Sequence, residues 1–172
     1  MRAQQPGGRF TTDYELDSIL SGITEDLRRP VGLQVDWWVF DPVSTAVDPI
    51  YDVGSSDIGR RWLNPIKVPV IVAQVFQGQT IQDERGLYNA DVLRFTMNMG
   101  ETVSFLPDLI TNTDLHNKDR VVYRDGVFRP SRIYLRGQVV TTYTILTVDL
   151  VQVKAEELVN DMQFQGYVSS EL

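Results

Sequence analysis

Residues 119–137, DRVVYRDGVFRPSRIYLRG, decide the fold class of this chain. Two segments rich in β-branched and aromatic residues flank the sequence RDG at 124–126, and an Asp-Gly pair between such segments is a strong signal for a β-hairpin. Further along, TYTILTVDLVQV (142–153) alternates apolar with polar residues, the pattern of a strand that has one buried face. The region 119–153 therefore predicts three consecutive β-strands.

Three segments upstream of this region also predict strands. VDWWVF (35–40) places aromatic and β-branched residues on both faces, and LRFTMN (93–98) has the cleanest alternation in the chain. KVPVIVAQVF (67–76) alternates as well, but Pro69 cannot donate to a ladder and so predicts an edge strand or the start of a strand. Together the strands predict a mainly β fold, either a small β-barrel or a sandwich.

Helical segments are predicted at both ends of the chain. Thr12 and Glu15 have the spacing of a capping box, and Pro30 ends the helix that follows. Its apolar stripe has helical spacing and consists of Leu16, Ile19, Leu20, Ile23 and Leu27. The stripe packs either on the core of its own chain or, as a docking arm, on a neighbouring subunit.

The chain divides into three predicted regions. Residues 1–30 form an N-terminal arm with the amphipathic helix, residues 31–153 form the β domain with extended loops, and residues 154–172 form a C-terminal helix or tail. The terminal helix is predicted to pack through Leu158 and Met162.

Two polar stretches within the β domain predict loops. Residues 41–49 contain two Asp-Pro pairs, which favour an extended turn. Residues 77–91, QGQTIQDERGLYNAD, interrupt the strand pattern for 15 residues. A loop of that length in a compact domain is usually functional or disordered.

Composition excludes several classes of function. The formal net charge of −7 disfavours binding to nucleic acid along an extended surface, because phosphate contacts need a concentrated basic surface. The sequence has no cysteine, which removes disulfides and thiolate zinc sites. No apolar stretch predicts a membrane span or a secretory signal, so we expect folding in the cytoplasm. The cations are 13 Arg against 3 Lys, which indicates either a GC-rich genome or guanidinium groups used at subunit contacts.

The sequence offers few candidate residues for a catalytic centre. His116 is the only histidine, and its polar surroundings, TDLHNKD, predict a loop residue that faces solvent. No nucleophile elbow, phosphate loop or dinucleotide fingerprint is present. Asp108, Asp114 and Asp119 are candidate calcium ligands by residue type, but they lack the spacing of an ion-binding loop. We therefore predict no enzymatic activity, no catalytic residue, no cofactor and no metal.

The aromatic residues point to packing or to contact with another chain. Trp37 and Trp38 are adjacent, so on a strand they face opposite sides, and the one outside the core needs a second surface. That surface is either the helix at 13–28 or another chain. Trp62 follows Arg60 and Arg61, a combination that favours either burial or insertion into a partner. These five residues are the predicted subunit or ring interface.

Several phrases of the chain resemble the head-to-tail connector proteins of actinobacterial siphophages, and the stopper class most closely. They include WWVFDPVSTAVDPIYDVG, GRRWLNPIKVPVIVAQV, GLYNADVLRFTMN and KDRVVYRDGVFRPSRIYLRGQV. Many phage stoppers carry a phrase of the form Asp-Arg-Val-x-Tyr-x-Gly-x-x-Tyr/Phe before the strands that close a small SH3-like β-barrel. In this chain the matching residues are Asp119, Arg120, Val121, Tyr123, Gly126 and Phe128. The resemblance covers roughly residues 35–153.

The resemblance implies a structural neck protein of the virion. Stoppers form homo-oligomeric rings, commonly hexamers, below the portal and its adaptor, where they retain packaged DNA by steric contact and present a surface to the tail terminator or tail tube. We expect residues 77–90 to form the gate facing the channel, with Gln82, Asp83, Glu84 and Arg85 at its tip. Residues 41–65 are expected to contact the neighbouring ring.

Two alternative functions are also consistent with the sequence. The chain is alternatively a tail terminator, a tail-completion protein or an adaptor of the same neck, although adaptors of this kind are largely helical. From a different class, it is alternatively a β-barrel hydrolase or a cell-surface binding module.

Overall fold

The computed structural model describes residues 12–23, 33–45, 59–83, 86–139, 141–158 and 161–168. Seven strands follow in chain order: β1 (Gln34–Trp38), β2 (Ile66–Pro69), β3 (Val72–Asp83), β4 (Gly86–Asn98), β5 (Arg120–Tyr123), β6 (Gly126–Val139) and β7 (Thr142–Gln152). The α-helices are α1 (Thr12–Asp17), α2 (Met99–Phe105), α3 (Ala155–Leu158) and α4 (Gln165–Val168). A π-helical turn (Ser18–Ile23) extends α1, and 3-10 helices lie at Thr113–Lys118 and Met162–Phe164.

All seven strands belong to one antiparallel sheet in the order β2-β1-β5-β6-β7-β4-β3. A flat sheet of this size would hold its edge strands roughly 29 Å apart. However, β2 ends at Pro69 and β3 begins at Val72, and three residues span at most about 11 Å. The sheet must therefore roll up until its two edges approach each other. The prediction of a mainly β fold is confirmed; the roll is not closed by a ladder between β2 and β3 in the described residues, unlike the closed barrel that the resemblance implies.

The hydrophobic core fills the inside of the roll. Facing residues of β4 and β7 pair as Leu93 with Leu150, Phe95 with Val148 and Met97 with Leu146, and all six are buried. From the other side the core receives Val35, Trp37, Val68, Val70, Val121, Tyr123 and Phe128. The alternation in β4 and β7 thus predicted the buried face correctly.

The β5–β6 hairpin forms as predicted, but its turn lies one residue earlier than the Asp-Gly pair. Tyr123 pairs with Gly126, so Arg124 and Asp125 make the turn. The left-handed backbone conformation falls on Arg124, with φ of 55°, rather than on glycine. The side chain of Arg124 stacks on the ring of Tyr123.

Two sequence predictions about the first half of the sheet need correction. Residues 67–76 do not form one strand, because the chain leaves β2 at Pro69 and enters β3 at Val72; the expected edge position of Pro69 is confirmed. Residues 77–91 are not a long loop. They belong to the β3–β4 hairpin, apart from Glu84 and Arg85, which lie outside the described residues.

The N-terminal helical segment lies on the outer face of its own sheet. It contacts β6, and the side chain of Asn98 donates to the carbonyl of Leu20 at 2.5 Å. Leu16, Ile19 and Leu20 are half-buried. Of the two predicted surfaces for the apolar stripe, the structure therefore shows the chain's own domain, although on the outside of the roll. The arm at 1–11 and residues 24–32 lie outside the described residues.

The C-terminal segment is broken into short helical turns and does not form one helix. Leu158 is buried as predicted, but Met162 is 57% exposed. The buried contact is made by Phe164, which is 0% exposed, because the 3-10 turn at Met162–Phe164 points this ring inward. Within the described residues, no helix is long and apolar enough to cross a bilayer.

Gly137 provides a test of the β6–β7 hairpin. Its φ is +65°, and a Cβ there would lie 2.5 Å from Thr144 Oγ1, whose hydroxyl donates to the Gly137 carbonyl at 2.6 Å. We expect Gly137→Ala to lower the free energy of unfolding by at least ~2 kcal/mol, from backbone strain and this collision. Urea denaturation followed by circular dichroism measures the change. Gly166→Ala, where a Cβ meets nothing within 4 Å, is the matched control, and equal losses in both variants would refute the explanation.

Candidate functional site

The carboxylate of Asp119 is the most heavily used polar group in the interior. Its Oδ2 accepts from Trp37 Nε1 at 2.7 Å and lies 2.6 Å from His116 Nδ1. Its Oδ1 accepts from the backbone N–H of Phe40 at 2.8 Å. The residue is 0% exposed. Asp119 therefore joins β1, the chain that follows β1, and the 3-10 helix that precedes β5.

His116 is buried, so the prediction of a solvent-facing loop residue is wrong. Its ring lies edge-on to Trp37 and is held by Asp119. A carboxylate and an imidazole at hydrogen-bond distance can serve in proton transfer. In this pair, however, both carboxylate oxygens already accept hydrogen bonds, and the other ring nitrogen, Nε2, is buried without a hydrogen-bond partner. The arrangement fits a structural tie.

The structure does not bring the three candidate calcium ligands together. Asp108 and Asp114 are exposed, whereas Asp119 is buried and engaged as described. Across the described ranges, no group of three histidine, aspartate or glutamate side chains is placed to hold a metal ion.

A second hydrophobic cluster lies on the outer face of β1, β5 and the start of β6. Its buried members are Trp62, Val122, Val127, Val153, Leu158 and Phe164. Trp38 packs on this cluster, with its ring 5.2 Å from that of Phe164. The surface that covers Trp38 is therefore the C-terminal segment, and neither the helix at 13–28 nor another chain is needed.

The prediction that five aromatic and arginine residues form a subunit or ring interface needs correction for Trp37 and Trp62. Trp37 lies in the main core and Trp62 in the second cluster, both buried within the chain, so neither is available to a partner. Trp62 is fixed by Gln163, whose side chain hydrogen-bonds to both the N–H and the carbonyl of Trp62. Arg61 is exposed and Arg60 is half-buried near Glu157; a role for these two and for half-buried Trp38 in a subunit contact stays a prediction.

A buried ion cluster fastens the C-terminal segment to β5. The Arg120 guanidinium is 3.1 Å from Glu157 and 3.6 Å from Asp161, and it lies over the ring of Trp62. Burial lowers the pKa of Arg120, against the opposing effect of the two carboxylates. Burial likewise raises the pKa of Asp161, which the charge of Arg120 only partly offsets. Burial therefore disfavours the charged form of both groups, and the attraction between the two charges has to offset this cost.

A groove lies on the outer face of β3, β4, β6 and β7. It has a volume of about 470 Å³ and is lined by Phe76, Gln79, Thr80, Val92, Arg94, Ser131, Arg132, Asp149 and Val151. We call it the outer-face groove. Strand register produces it, because Asp149 on β7 stands opposite Arg94 on β4 and opposite Arg132 on β6. One carboxylate is therefore flanked by two guanidinium groups.

The two arginines of the outer-face groove differ in their partners. Arg94 binds Asp149 through two hydrogen bonds, of 2.6 and 2.8 Å, and lies over the ring of Phe76. The aspartate raises the pKa of Arg94. Arg132 is exposed and has no carboxylate within salt-bridge distance among the described residues. The groove therefore carries one positive charge, on Arg132, that no described carboxylate pairs with.

Neighbouring segments cover the outer face on both sides of this groove. Along β7, Thr147 is buried and stands opposite Thr96, next to the row where Asn98 meets the N-terminal helical segment. Toward the C-terminal end of β7, Val153 is buried as a member of the second hydrophobic cluster. Asp149 and Val151 lie between these two covers. The outer-face groove therefore lies between the parts of this face that the two terminal segments cover.

The predicted channel tip lies at the end of a projecting ribbon. Beyond its pairing with β7, which starts at Val92, β4 pairs only with β3, from Gln79 opposite Ala90 to Asp83 opposite Gly86. These five residue pairs extend roughly 15 Å from the sheet. Gln82 and Asp83 are in the ribbon, whereas Glu84 and Arg85 lie outside the described residues. At its base, Gly78 has a φ of 62° and its N–H donates to Asp91.

No family model matches the chain, and no curated protein matches it.

Sequence reasoning missed both the Asp119 tie and the outer-face groove. From the sequence, Asp119 is only a candidate calcium ligand and the first residue of the stopper-like phrase, although its position directly before a strand of four buried residues is a usable signal. Arg94, Arg132 and Asp149 lie on three strands whose register the sequence does not reveal. The motif at 119–128 indicated the right region, but not which of its residues carries the contacts.

The Asp119 tie predicts a large loss of stability in Asp119→Ala. The substitution leaves Trp37 Nε1, the Phe40 N–H and His116 Nδ1 without their acceptor, and each buried orphan costs ~1–3 kcal/mol. We expect the free energy of unfolding in urea to fall by at least ~3 kcal/mol. Asp108→Ala, at an exposed aspartate, is the control and should change it by less than ~0.5 kcal/mol. Comparable effects in the two variants would exclude Asp119 as a tie.

The ion cluster predicts a pH-dependent loss in Arg120→Met. Without Arg120, the buried carboxyl of Asp161 has lost its principal counter-charge, which costs about 3–5 kcal/mol at neutral pH. Because the folded-state pKa of Asp161 is raised, its stability contribution is present at low pH and declines as the pH rises through that pKa. The destabilisation relative to wild type should therefore shrink as the pH falls toward 3.8, the ordinary aspartate value. Arg124→Met is the control, and a loss independent of pH would contradict the assignment.

Proposed function

We propose that this chain is a structural neck protein of a tailed bacteriophage, a head-to-tail stopper, and that it has no enzymatic activity. In this role copies of the chain form a ring, with a hexamer favoured, below the portal and its adaptor. The ring retains packaged DNA and provides the surface on which the tail terminator or tail tube assembles. The proposed location is the neck of the virion, after assembly in the host cytoplasm.

The proposal is supported by where the residues of the stopper-like phrase lie. Five of them are buried: Asp119, Arg120, Val121, Tyr123 and Phe128. They supply the interior tie, the ion cluster and part of the main core. The phrase therefore lies at the centre of the fold, as expected of a motif that specifies the structure of a domain.

The observation that carries the proposal is the projecting β3–β4 ribbon. A two-stranded arm of roughly 15 Å whose two strands pair only with each other is suited to reach a channel axis or an adjacent subunit. A net charge of −7 disfavours gripping phosphate, so DNA would be blocked sterically and released without strong adhesion. This is the behaviour that a stopper needs.

We propose no enzymatic role because the candidate catalytic groups are already engaged in hydrogen bonds or ion pairs within the chain. The His116–Asp119 pair is buried, and its carboxylate is saturated with hydrogen bonds. In the outer-face groove, Asp149 is neutralised by Arg94, which leaves no free general base there among the described residues.

Replacing the ribbon tip tests the proposed gate. We expect phage in which Gln82, Asp83, Glu84 and Arg85 are exchanged for a short Gly-Ser turn to assemble rings, but to lose DNA from heads that carry no tail. DNA retention in purified heads is measured by nuclease sensitivity. The control exchanges the β5–β6 turn, Arg124 and Asp125, for Asn-Gly, which should leave retention unchanged.

Three outcomes separate the alternatives. Full retention of DNA with the altered tip would reject the ribbon as the gate. If phage that lack the whole chain keep their DNA and assemble complete tails that do not join heads, the chain is a tail terminator. If they keep DNA and join tails normally, the neck assignment is wrong.

A further inference from the structure

The C-terminal segment covers the outer face of β1 and β5 without contributing to the main core. It consists of α3 and residues 161–168, and we call these residues the strap. Leu158 and Phe164 of the strap are buried in the second hydrophobic cluster, whereas the main core contains none of its described residues. Backbone pairing with the sheet reaches Val153, whose N–H donates to the Val127 carbonyl at 2.8 Å. The strap therefore begins just after the chain leaves the sheet.

Side chains fasten the strap to the sheet. The ring of Phe164 lies 5.2 Å from that of Trp38 and 5.0 Å from that of Trp62. The side chain of Gln163 hydrogen-bonds to the backbone of Trp62, and the ion cluster around Arg120 makes the third contact. All seven strands lie upstream of the strap and pair with one another. The strap can therefore leave without breaking a pair of strands.

The surface under the strap is held in place by the rest of the domain. Trp38 belongs to β1 and Arg120 to β5. Trp62 pairs with Phe40 in an isolated bridge, and its Nε1 donates to the carbonyl of Lys118 at 2.9 Å. These contacts do not involve the strap, so the surface keeps its support when the strap is absent.

Hydrogen bonding under the strap is incomplete. Four buried side-chain atoms of the described structure lack a hydrogen-bond partner, and three of them lie here: Trp38 Nε1, Arg120 Nε and Asp161 Oδ2. Asp161 Oδ2 is 3.6 Å from the Arg120 guanidinium, which is too far for a hydrogen bond. A buried polar atom without a partner costs free energy that hydration returns on exposure. Opening of the strap therefore restores hydration to three groups at once.

The charges and the short helical turns of the strap also favour opening. Burial lowers the pKa of Arg120 and raises that of Asp161, so both charged forms are better solvated once the strap has left. The helical turns contain four, three and four residues and are too short to be stable by themselves. The closed strap thus depends on the burial of Leu158 and Phe164, and segments with few buried apolar contacts open at a low cost in free energy.

We infer that the strap is a conformational lid, which opens as a unit while the rolled sheet stays folded. Its opening uncovers a surface that carries the rings of Trp38 and Trp62 and the guanidinium of Arg120. The closed strap withholds this surface from solvent, and the open strap presents it. The inference concerns the chain by itself; it goes beyond the proposed function and does not require it.

Reaction of a single introduced thiol tests the opening, because the chain has no cysteine. Val122 and Val121 are neighbours on β5 that face opposite ways, the first under the strap and the second in the main core. In the full-length chain without denaturant, we expect dithionitrobenzoate to react with Val122→Cys at least about a hundredfold faster than with Val121→Cys. Val127→Cys, 2% exposed and also under the strap, is a second reporter that should follow Val122→Cys.

Urea and further substitutions identify the opening that admits the reagent. Low urea concentrations should accelerate the reaction of Val121→Cys steeply and that of Val122→Cys little, because the urea dependence scales with the surface exposed. Phe164→Ala should accelerate the reaction of Val122→Cys about tenfold or more, since it removes a buried ring from the strap. Met162→Ala, at an exposed position of the strap, is the matched control and should change neither rate. Leu146→Ala weakens the main core in the closed and open forms alike, so it should accelerate only Val121→Cys.

Two results would overturn the inference. Equal rates with equal urea dependence at Val122→Cys and Val121→Cys would show that the strap unfolds only together with the rest of the domain. A reaction of Val122→Cys that Phe164→Ala does not accelerate would show that the reagent arrives by another route. If Leu146→Ala prevents folding, the urea dependence of the two reporters decides between the inference and its rejection.

Discussion

The hydrogen bonds of one buried carboxylate, that of Asp119, position the central strands of this protein. They connect the side chain of Trp37 in β1, the backbone at Phe40 and the ring of His116 directly before β5. Because β1 and β5 are neighbours in the sheet, this tie supports their register, which in turn places Trp37 inside the roll and Trp38 outside. The two hydrophobic clusters on opposite sides of β1 both depend on that register.

The outside of the roll then determines what the chain can contact. The N-terminal helical segment lies over one part of the outer face, and the C-terminal segment, held by Phe164 and the Arg120 ion cluster, covers another. Between them lies the outer-face groove, and beyond the sheet edge projects the β3–β4 ribbon. The positions of both features follow from the arrangement of the segments around them, and the ribbon is the feature on which the proposed function rests.

Alternation of apolar residues predicted the buried faces of β4 and β7 because both strands have one solvent-facing side. The same rule failed for residues 77–91, since a projecting ribbon has little apolar alternation to detect although its two strands pair from Gln79 opposite Ala90 to Asp83 opposite Gly86. It also failed for His116, whose polar neighbours indicate solvent while the tertiary position buries it. One of the two adjacent tryptophans was expected to need a second surface. It is Trp38, and its partner Phe164 lies in a distant segment whose packing no local pattern specifies. The outer-face groove depends on the register of three strands, and no local sequence pattern specifies that register.

The central claim is that this rolled sheet is one subunit of a ring at the joint between capsid and tail. Electron cryo-microscopy of intact particles, at a resolution that traces strands, tests it most directly. The account predicts a ring of seven-stranded open rolls between the adaptor and the tail, with the β3–β4 ribbons directed inward. Density for this chain elsewhere in the particle, or no density for it in the virion, would contradict the account.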